Sequence, residues 1–239
     1  MTTLPLIPDN LPLALAQVQQ RIAQATAQAG RAPDAVRLLA VSKTFPAEAV
    51  AQAAAAGQRA FGENYVQEGV AKIETLREQG YTDLEWHCIG PLQSRKTAQV
   101  AAHFDWLHSL SRLDIAERLS RQRPPDLPPL QICLQVNMDG GANKSGIAPE
   151  QALELAQAVC KLPHLQLRGL MSIPEPYDDP QQTLAVHRAT RTLFDDLGAQ
   201  LALPQWNTLS MGMSHDLELA IAAGSTMVRV GSAIFGARG

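Results

Sequence analysis

The lysine that closes the apolar run LLAVSK, Lys43, is the strongest candidate for covalent chemistry in this chain. If the run is a strand, Lys43 lies on the same face as Leu39 and Val41, because side chains alternate along a strand. Burial of an amine among apolar walls disfavours its charged form. A neutral amine can form a Schiff base with a carbonyl compound. From the residues alone, a solvated lysine at a strand end remains the alternative.

Serine and glycine precede two predicted helix starts near the end of the chain. Ser214 follows Gly212-Met213, and Gly231-Ser232 follow a strand that ends at Val230. A helix N-terminus has free N–H groups and a partial positive charge, so it can bind phosphate. We therefore predict a phosphate site made by Ser214, Gly231 and Ser232. An ordinary helix cap at Ser214 and a plain turn at Gly231-Ser232 are the alternatives.

Two further residues indicate a ligand near these strand ends. Arg229 interrupts the apolar run Met227–Val230, and a charge inside a barrel strand must be paired or hydrogen-bonded. Its alternative is exposure at a strand end. Asn64 follows Gly62-Glu63, where glycine lets the backbone approach a ligand. Asn64 could then hydrogen-bond a ring substituent, whereas Glu63 could equally cap the following helix.

Other polar groups near predicted strand ends give weaker indications. His87 suits a ligand contact or a general base, but also a hydrogen-bonded core histidine. Arg95 and Lys96 fall in the first turn of a predicted helix, where their charges oppose the helix dipole. That placement hints at an anion, although solvated charges fit as well.

The loop 137–146 resembles a nucleotide-binding P-loop only superficially. That pattern requires glycine where this sequence has Met138 and Asn143, so we reject a nucleotide site. We expect a flexible loop that carries the basic Lys144 over the mouth of the fold.

The elements that must position these residues alternate regularly along the chain. An extra amphipathic helix is predicted at 11–29, with Asn10 as its cap and Gly30 as its end. Eight strands are predicted at 36–41, 59–62, 84–89, 104–108, 130–136, 165–170, 207–210 and 227–230. Helices are predicted after them at 46–56, 63–79, 92–102, 111–121, 149–160, 180–201 and 214–222, with a short turn of helix after the last strand.

Apolar strands that alternate with helices indicate a parallel sheet, and eight repeats in 239 residues favour closure into a barrel over an open doubly wound sheet. We therefore predict an α/β fold, a single (β/α)₈ TIM barrel, as one domain over 1–239. The proline-rich segment 123–129 is predicted to be a loop within it. Functional residues of such barrels follow the strands, which is where all the candidates above lie.

The composition disfavours several classes of partner. A formal net charge of −3 and an aromatic content of 5% do not suggest binding to nucleic acid or to an anionic membrane. The sequence shows no signal-peptide pattern and no apolar stretch of about 18 residues, so we expect a cytoplasmic protein. Cys88, Cys133 and Cys160 form no CxxC pair, and we expect reduced, buried thiols.

Six segments, in the same order along nearly the whole chain, resemble the pyridoxal phosphate homeostasis protein family. These proteins are single-domain relatives of the alanine racemase N-terminal barrel. The segments are LLAVSKT (Leu38–Thr44), FGENYVQE (Phe61–Glu68), WHCIGPLQSRK (Trp86–Lys96), NKSGI (Asn143–Ile147), RGLM (Arg168–Met171) and GMSHDLELAIAAGSTMVRVGSAIFGAR (Gly212–Arg238). The resemblance implies the alanine racemase-like barrel and pyridoxal 5′-phosphate (PLP) as the bound cofactor.

The resemblance also implies a role for each of the six candidate residues. It implies that Lys43 forms the Schiff base, that Arg229 faces the pyridine nitrogen, and that Asn64 lines the cofactor near the lysine. The positions implied to hold the phosphate are Ser214, Gly231 and Ser232.

A carrier of PLP is the function we expect, rather than a fast enzyme. An arginine against the pyridine nitrogen disfavours protonation there, because two positive charges repel in a low-dielectric site. PLP is then a poor electron sink. The resemblance implies that racemases with this arginine take a tyrosine base from a separate C-terminal domain, to which none of Tyr65, Tyr81 and Tyr177 belongs. We expect a monomer that regulates the PLP pool and amino-acid and keto-acid balance, with PLP-dependent apoenzymes as partners.

Two alternatives belong to other classes. One is an amino-acid racemase that uses an unrecognised second base, such as His87 or Tyr65. The other is a Schiff-base or phosphosugar-binding barrel without PLP. Lys96 and Lys144 are further candidates, as secondary sites at which the departing cofactor could bind.

Overall fold

A closed barrel of eight parallel strands forms within residues 10–140 and 145–236, the parts of the chain that the computed structural model describes. Strand order follows the sequence, and the last strand pairs with the first. The strands are β1 (Arg37–Val41), β2 (Ala60–Glu63), β3 (Glu85–Cys88), β4 (Trp106–Leu110), β5 (Leu130–Val136), β6 (Leu165–Ser172), β7 (Thr208–Ser210) and β8 (Met227–Val230). The predicted (β/α)₈ architecture is confirmed.

A helix follows each strand, and one more precedes β1. The helices are α1 (Leu11–Gln28), α2 (Ala47–Ala55), α3 (Val66–Glu78), α4 (Thr97–His103), α5 (Leu113–Gln122), α6 (Ala152–Val159), α7 (Pro180–Leu201), α8 (Leu217–Ala222) and α9 (Ser232–Phe235), with 3₁₀ turns at Ser94–Lys96 and Pro149–Gln151. One face of α1 is buried through Leu11, Leu15, Val18 and Ile22. This helix packs against α2, α8 and α9, next to the last two strand ends.

Two predicted boundaries near the strand ends are wrong. The pattern predicts a helix from Glu63, but Glu63 is the last residue of β2 and lies in register with Cys88 of β3. Its buried carboxylate accepts hydrogen bonds from Ser42 and from Lys72 of α3, and it does not cap α3. The predicted helix 92–102 starts at Thr97 instead, after the first 3₁₀ turn. The strands β4 and β6 extend past their predicted ends.

Side-chain alternation along the strands separates an outer core from the interior of the barrel. Trp86 and Cys88 belong to the large apolar core that the helices cover. Trp106, Cys133 and Met171 form a small separate cluster. His87, between Trp86 and Cys88, points to the other face and stacks on Trp106 with a ring-centroid distance of 5.2 Å. The barrel interior therefore includes polar groups, which must find partners there.

The cysteines differ in their exposure. Cys88 and Cys133 are buried, whereas Cys160 is exposed at the end of α6, so the prediction of three buried thiols is wrong for Cys160. Cys160 follows the last residue of α6 and faces outward, so it is exposed although α6 itself is apolar. Among the helices of the described ranges, none is both long and apolar enough to span a bilayer.

Candidate functional site

One cavity brings all six candidate residues together at the C-terminal ends of the strands. It has a volume of about 260 Å³. Its lining includes Lys43, Asn64, Ser214, Arg229, Gly231 and Ser232. Ligand pockets commonly span about 300–1,000 Å³, so this volume suits one substituted ring and not a dinucleotide. The apolar part of the lining comes from Val41, Phe45, Ile89, Ile173 and Met213.

Lys43 lies in a tight turn directly after β1. The N–H of Phe45 donates to the carbonyl oxygen of Ser42 across this turn, at 3.1 Å. Thr44 has a φ of 70°, a left-handed conformation that a β-branched residue rarely adopts. Such strain costs on the order of 1–3 kcal/mol and persists only where the surroundings hold it. The turn that presents Lys43 to the cavity therefore needs support from its neighbours.

A buried ion-pair cluster supplies that support. The ammonium group of Lys72 donates to the carbonyl oxygen of Ser42 at 2.8 Å, to Glu63 at 2.7 Å and to Glu68 at 2.7 Å. Ser42 Oγ donates to Glu63 Oε1 at 2.6 Å, and the N–H of Thr44 donates to Glu68. Both residues beside Lys43 are thus fixed by one cluster behind the cavity wall. Burial raises the pKa of Glu63 to about 7, against the opposing charge of Lys72.

Arg229 is buried in β8 and fully engaged on the barrel side. The Nη1 group donates to the carbonyl oxygen and to Oγ of Ser210, at 2.7 and 2.8 Å. The Nη2 group donates to the carbonyl oxygen of Ser172 at 2.8 Å. Burial lowers the pKa of Arg229 to about 10, which leaves the guanidinium charged at neutral pH. The alternative of an exposed arginine at a strand end is wrong, because only 4% of the residue is exposed.

The two serines converge although they lie 18 residues apart, with their Oγ atoms at 3.3 Å. Ser214 does not cap a helix, since α8 begins three residues later with Asp216 in the capping position. Gly231 lines the same side of the cavity as the two serines. A Cβ there would lie 3.1 Å from the carbonyl oxygen of Val41, tighter than ordinary packing, so glycine allows β8 to end close against β1.

Two contacts hold the turn that carries Ser214. Asp216 Oδ1 accepts the N–H of Met213 at 2.7 Å, and its other oxygen pairs with buried His187 of α7 at 2.9 Å. The guanidinium of Arg21 in α1 donates to the carbonyl oxygen of Ser214 at 3.2 Å. The helices α1 and α7 therefore both restrain this turn.

Asn64 owes its place to a close approach of backbones. A Cβ added at Gly90 would lie 2.2 Å from the carbonyl oxygen of Asn64, so the segment after β3 can pass there only as glycine. Asn64 therefore lies against the segment after β3, and it lines the cavity.

The other candidates within the described ranges do not line the cavity. His87 is fully buried, bonded to His108 and Glu85, and matches the alternative of a core histidine. Arg95 bonds Gln93 in the first 3₁₀ turn, and Lys96 ends the same turn. Lys144 lies outside the described residues, so its prediction and that of Lys96 as secondary sites stay predictions.

Sequence reasoning missed the residues that act from behind the cavity wall. Lys72 and Glu68 lie four residues apart, a spacing that typically indicates an exposed helical ion pair. Nothing in that spacing showed that Lys72 would be buried against β1. His187 gave no signal either, because its partner lies 29 residues away.

The fold and the lining of the cavity define a barrel of the alanine racemase N-terminal type. The family model described as the alanine racemase N-terminal domain matches residues 13–239. An alanine racemase from Corynebacterium glutamicum shares this fold with a TM-score of 0.69 at 21% identity, over 95% of this chain and 62% of that chain.

Closer relatives narrow the assignment. The chain is 55% identical to the pyridoxal phosphate homeostasis protein of Escherichia coli K12, over 94% of this chain and 95% of that protein. The protein of the same name from Pseudomonas aeruginosa is 54% identical, over 94% of each chain. PipY of Synechococcus elongatus, solved with PLP bound, superimposes with a TM-score of 0.77 at 39% identity, over 90% of this chain and 100% of that chain. This chain belongs to the pyridoxal phosphate homeostasis protein family.

Proposed function

We propose that this protein binds PLP in the cavity and carries or buffers it, with Lys43 as the covalent anchor. The observation that carries the proposal is the convergence of one amine, two hydroxyls and one guanidinium in a single cavity of about 260 Å³. PLP supplies an aldehyde that condenses with a primary amine with loss of water, and a phosphate that needs several donors. The donor set of the cavity fits both groups. The PLP-bound relative, PipY, supports the same reading.

Each lining residue then has a definite task. Ser214 and Ser232 donate hydroxyl groups to the phosphate, and Gly231 brings a backbone N–H close to it. Asn64 lines the ring beside the lysine. Arg229 presents its charged guanidinium to the pyridine nitrogen, which keeps that nitrogen unprotonated because two positive charges repel. The bound cofactor is thereby a poor electron sink.

A carrier role fits this chemistry better than fast catalysis. A racemase needs a second base that reaches the substrate, and His87 does not reach the cavity because it is fully buried and bonded at both ring nitrogens. Tyr65 is 58% exposed and does not line the cavity. We propose that the protein acts as a monomer, within one barrel domain, and that PLP-dependent apoenzymes receive the cofactor.

The test is covalent trapping. We expect the purified protein with PLP to absorb in the visible region, and borohydride reduction followed by peptide mapping to place the label on Lys43. Lys43→Ala should abolish the band, whereas Lys96→Ala should retain it. Ser214→Ala and Arg229→Ala should weaken retention less, because several groups share those contacts. A label on Lys72 or another lysine, or an unchanged band in Lys43→Ala, would refute the assignment.

A further inference from the structure

A continuous line of hydrogen bonds crosses the barrel interior from Arg229 to the opposite end of the barrel. Ser210 Oγ, which binds Arg229, lies 3.0 Å from His108 Nδ1. His108 Nε2 lies 2.9 Å from His87 Nδ1, and His87 Nε2 lies 2.7 Å from Glu85 Oε1. These side chains come from β8, β7, β4 and β3, and we refer to them as the interior chain.

With an ionised Glu85 and two neutral rings, the interior chain has one consistent set of donors. A carboxylate can only accept, so the Nε2–H of His87 donates to Glu85. A neutral histidine has one donor and one acceptor, so Nδ1 of His87 accepts from the Nε2–H of His108, and Nδ1 of His108 accepts the proton of Ser210 Oγ. The lone pairs of Ser210 Oγ accept from Arg229. Every hydrogen bond points from the cavity toward Glu85.

The charges of the groups agree with this direction. Burial lowers the pKa of His87, and burial together with nearby positive charges lowers that of His108 well below its ordinary value, so both rings are neutral. Burial alone would raise the pKa of Glu85, but the hydrogen bond from His87 and the charge of Arg37 lower it to about 2. The chain therefore has a cation at the cavity end, an anion at the other end and neutral rings between them.

Glu85 is remote from the cavity that Arg229 lines. It lies at the N-terminal end of β3 and lines a second, open pocket at the opposite face of the barrel, together with Arg37 and Asp83. Glu85 also accepts a hydrogen bond from Arg37 at 2.9 Å. Hydrogen bonds in such a line polarise one another. The carboxylate of Glu85 at one end therefore strengthens the hydrogen bond between Ser210 and Arg229 at the other.

We propose that Glu85, His87, His108 and Ser210 are positioning residues for Arg229, so that PLP binding at one end of the barrel depends on a carboxylate at the other. The proposal rests on the proposed function, because it assigns Arg229 to the PLP site. The interior chain orients the hydroxyl of Ser210, because its proton goes to His108 Nδ1 and its lone pairs then face the guanidinium of Arg229.

Nitrogen-15 NMR of the histidine side chains in the protein without PLP tests the interior chain itself. We expect His87 and His108 to be neutral at pH near 7 and to carry the proton on Nε2. The protein contains six histidines, and His108→Gln assigns the signals. A proton on Nδ1 of either ring, or a charged ring, would overturn the proposal.

The second measurement is the dissociation constant for PLP in a matched pair of variants. Glu85→Gln removes the charge at the far end of the chain. Asp83→Asn makes the same change in the same pocket. The carboxylate of Asp83 is exposed, pairs with Arg59 and takes no part in the interior chain. We expect a rise on the order of threefold for Glu85→Gln, a larger rise on the order of tenfold for Ser210→Ala, and no change for Asp83→Asn.

Equal constants for Glu85→Gln and Asp83→Asn would overturn the positioning role. Failure of the unaltered protein to bind PLP would overturn the proposed function instead. The NMR result still decides whether the interior chain exists in that case, since it needs no ligand.

Discussion

Lys43 depends on residues that never enter the cavity. Its neighbours Ser42 and Thr44 are fixed by Lys72, Glu63 and Glu68, and Thr44 keeps a left-handed backbone only while they hold it. The proposed reactivity of Lys43 therefore depends both on its own amine and on the ion cluster that holds the turn. Substitutions in the cluster should alter the site without touching the ligand.

The buried carboxylate of Glu63 gives a pH dependence of stability with a definite sign. Burial raises the pKa of Glu63 to about 7, from an ordinary value of 4.5. Between these values the folded protein holds a proton that the unfolded chain has released, so the stabilising contribution of Glu63 is complete below pH 4.5 and is lost as pH rises through this window. The full shift corresponds to roughly 3 kcal/mol of unfolding free energy. Urea unfolding at several pH values from about 5 to 8 measures it.

The control for this prediction is Glu63→Gln, which keeps the shape and removes the titration. Glu85 does not titrate in this window, because its pKa is about 2 and its contribution is lost only below the ordinary value of 4.5. Burial lowers the pKa values of His87 and His108, so these rings add stability as pH rises, equally in both proteins. The contribution of Glu63 is therefore the difference in unfolding free energy between the unaltered protein and Glu63→Gln, and we expect this difference to fall as pH rises from about 5 to 8. A difference that does not change with pH would show that Glu63 does not titrate here.

At the scale of elements, a bulge in β6 sets the register of two neighbouring strands. Leu167 pairs with Ile132 and Gly169 with Cys133, so Arg168 is the extra residue. Arg168 is turned aside and its guanidinium binds Gln131 at 2.6 Å and lies 5.0 Å over the ring of Trp106. Through Arg168, the bulge in β6 contacts β5 and β4 near their N-terminal ends.

The bulge predicts the cost of a single methyl group. Gly169 has a φ of 154°, and a Cβ there would lie 1.8 Å from the carbonyl oxygen of Thr208, which is backbone and cannot move aside. We expect Gly169→Ala to lower the unfolding free energy by about 2–4 kcal/mol, through strain and lost pairing of β6 with β7. Gly30→Ala is the control, because Gly30 also has a positive φ but nothing lies within 4 Å of its Cβ position. Equal losses in urea unfolding would show that φ alone matters.

The strand pattern could be predicted from the sequence, and so could the residues that break it. Lys43 was found because it closes an apolar run, Arg229 because it interrupts one, and Gly231 and Ser232 because they follow the strand that ends at Val230. The interior chain could not be predicted, because His108 meets Ser210 across the barrel, 102 residues away. Such a contact depends on barrel closure and strand register, which local patterns do not contain. The predicted helix start at Glu63 was wrong for a related reason. A carboxylate near a helix start usually caps the helix, and the local pattern does not show that Glu63 binds Ser42 instead.

At the scale of the whole molecule, the two ends of the barrel carry different chemistry. The C-terminal end holds a ligand cavity with an amine, hydroxyls and a guanidinium. The N-terminal end holds an open pocket with charged groups of both signs, among them Arg37, Glu85 and Arg168. The closed barrel and the interior chain connect these two ends, and a hydrogen bond from Arg21 to the carbonyl oxygen of Ser214 joins α1 to this frame.

Because residues at or just after the ends of β1, β2, β3, β6, β7 and β8 line the cavity, a ligand that fills it should stabilise the whole fold. At a free PLP concentration of 100 times Kd, binding adds about 2.7 kcal/mol. For a domain of this size, each kcal/mol raises Tm by about 2–4 °C, so we expect a rise of roughly 5–10 °C by calorimetry. Pyridoxal, which lacks the phosphate, should give a much smaller rise at equal concentration. Ser214→Ala should reduce the difference between the two compounds, because we propose that the hydroxyl it removes donates to the phosphate. If pyridoxal and PLP raise Tm equally, Ser214, Gly231 and Ser232 do not form a phosphate site.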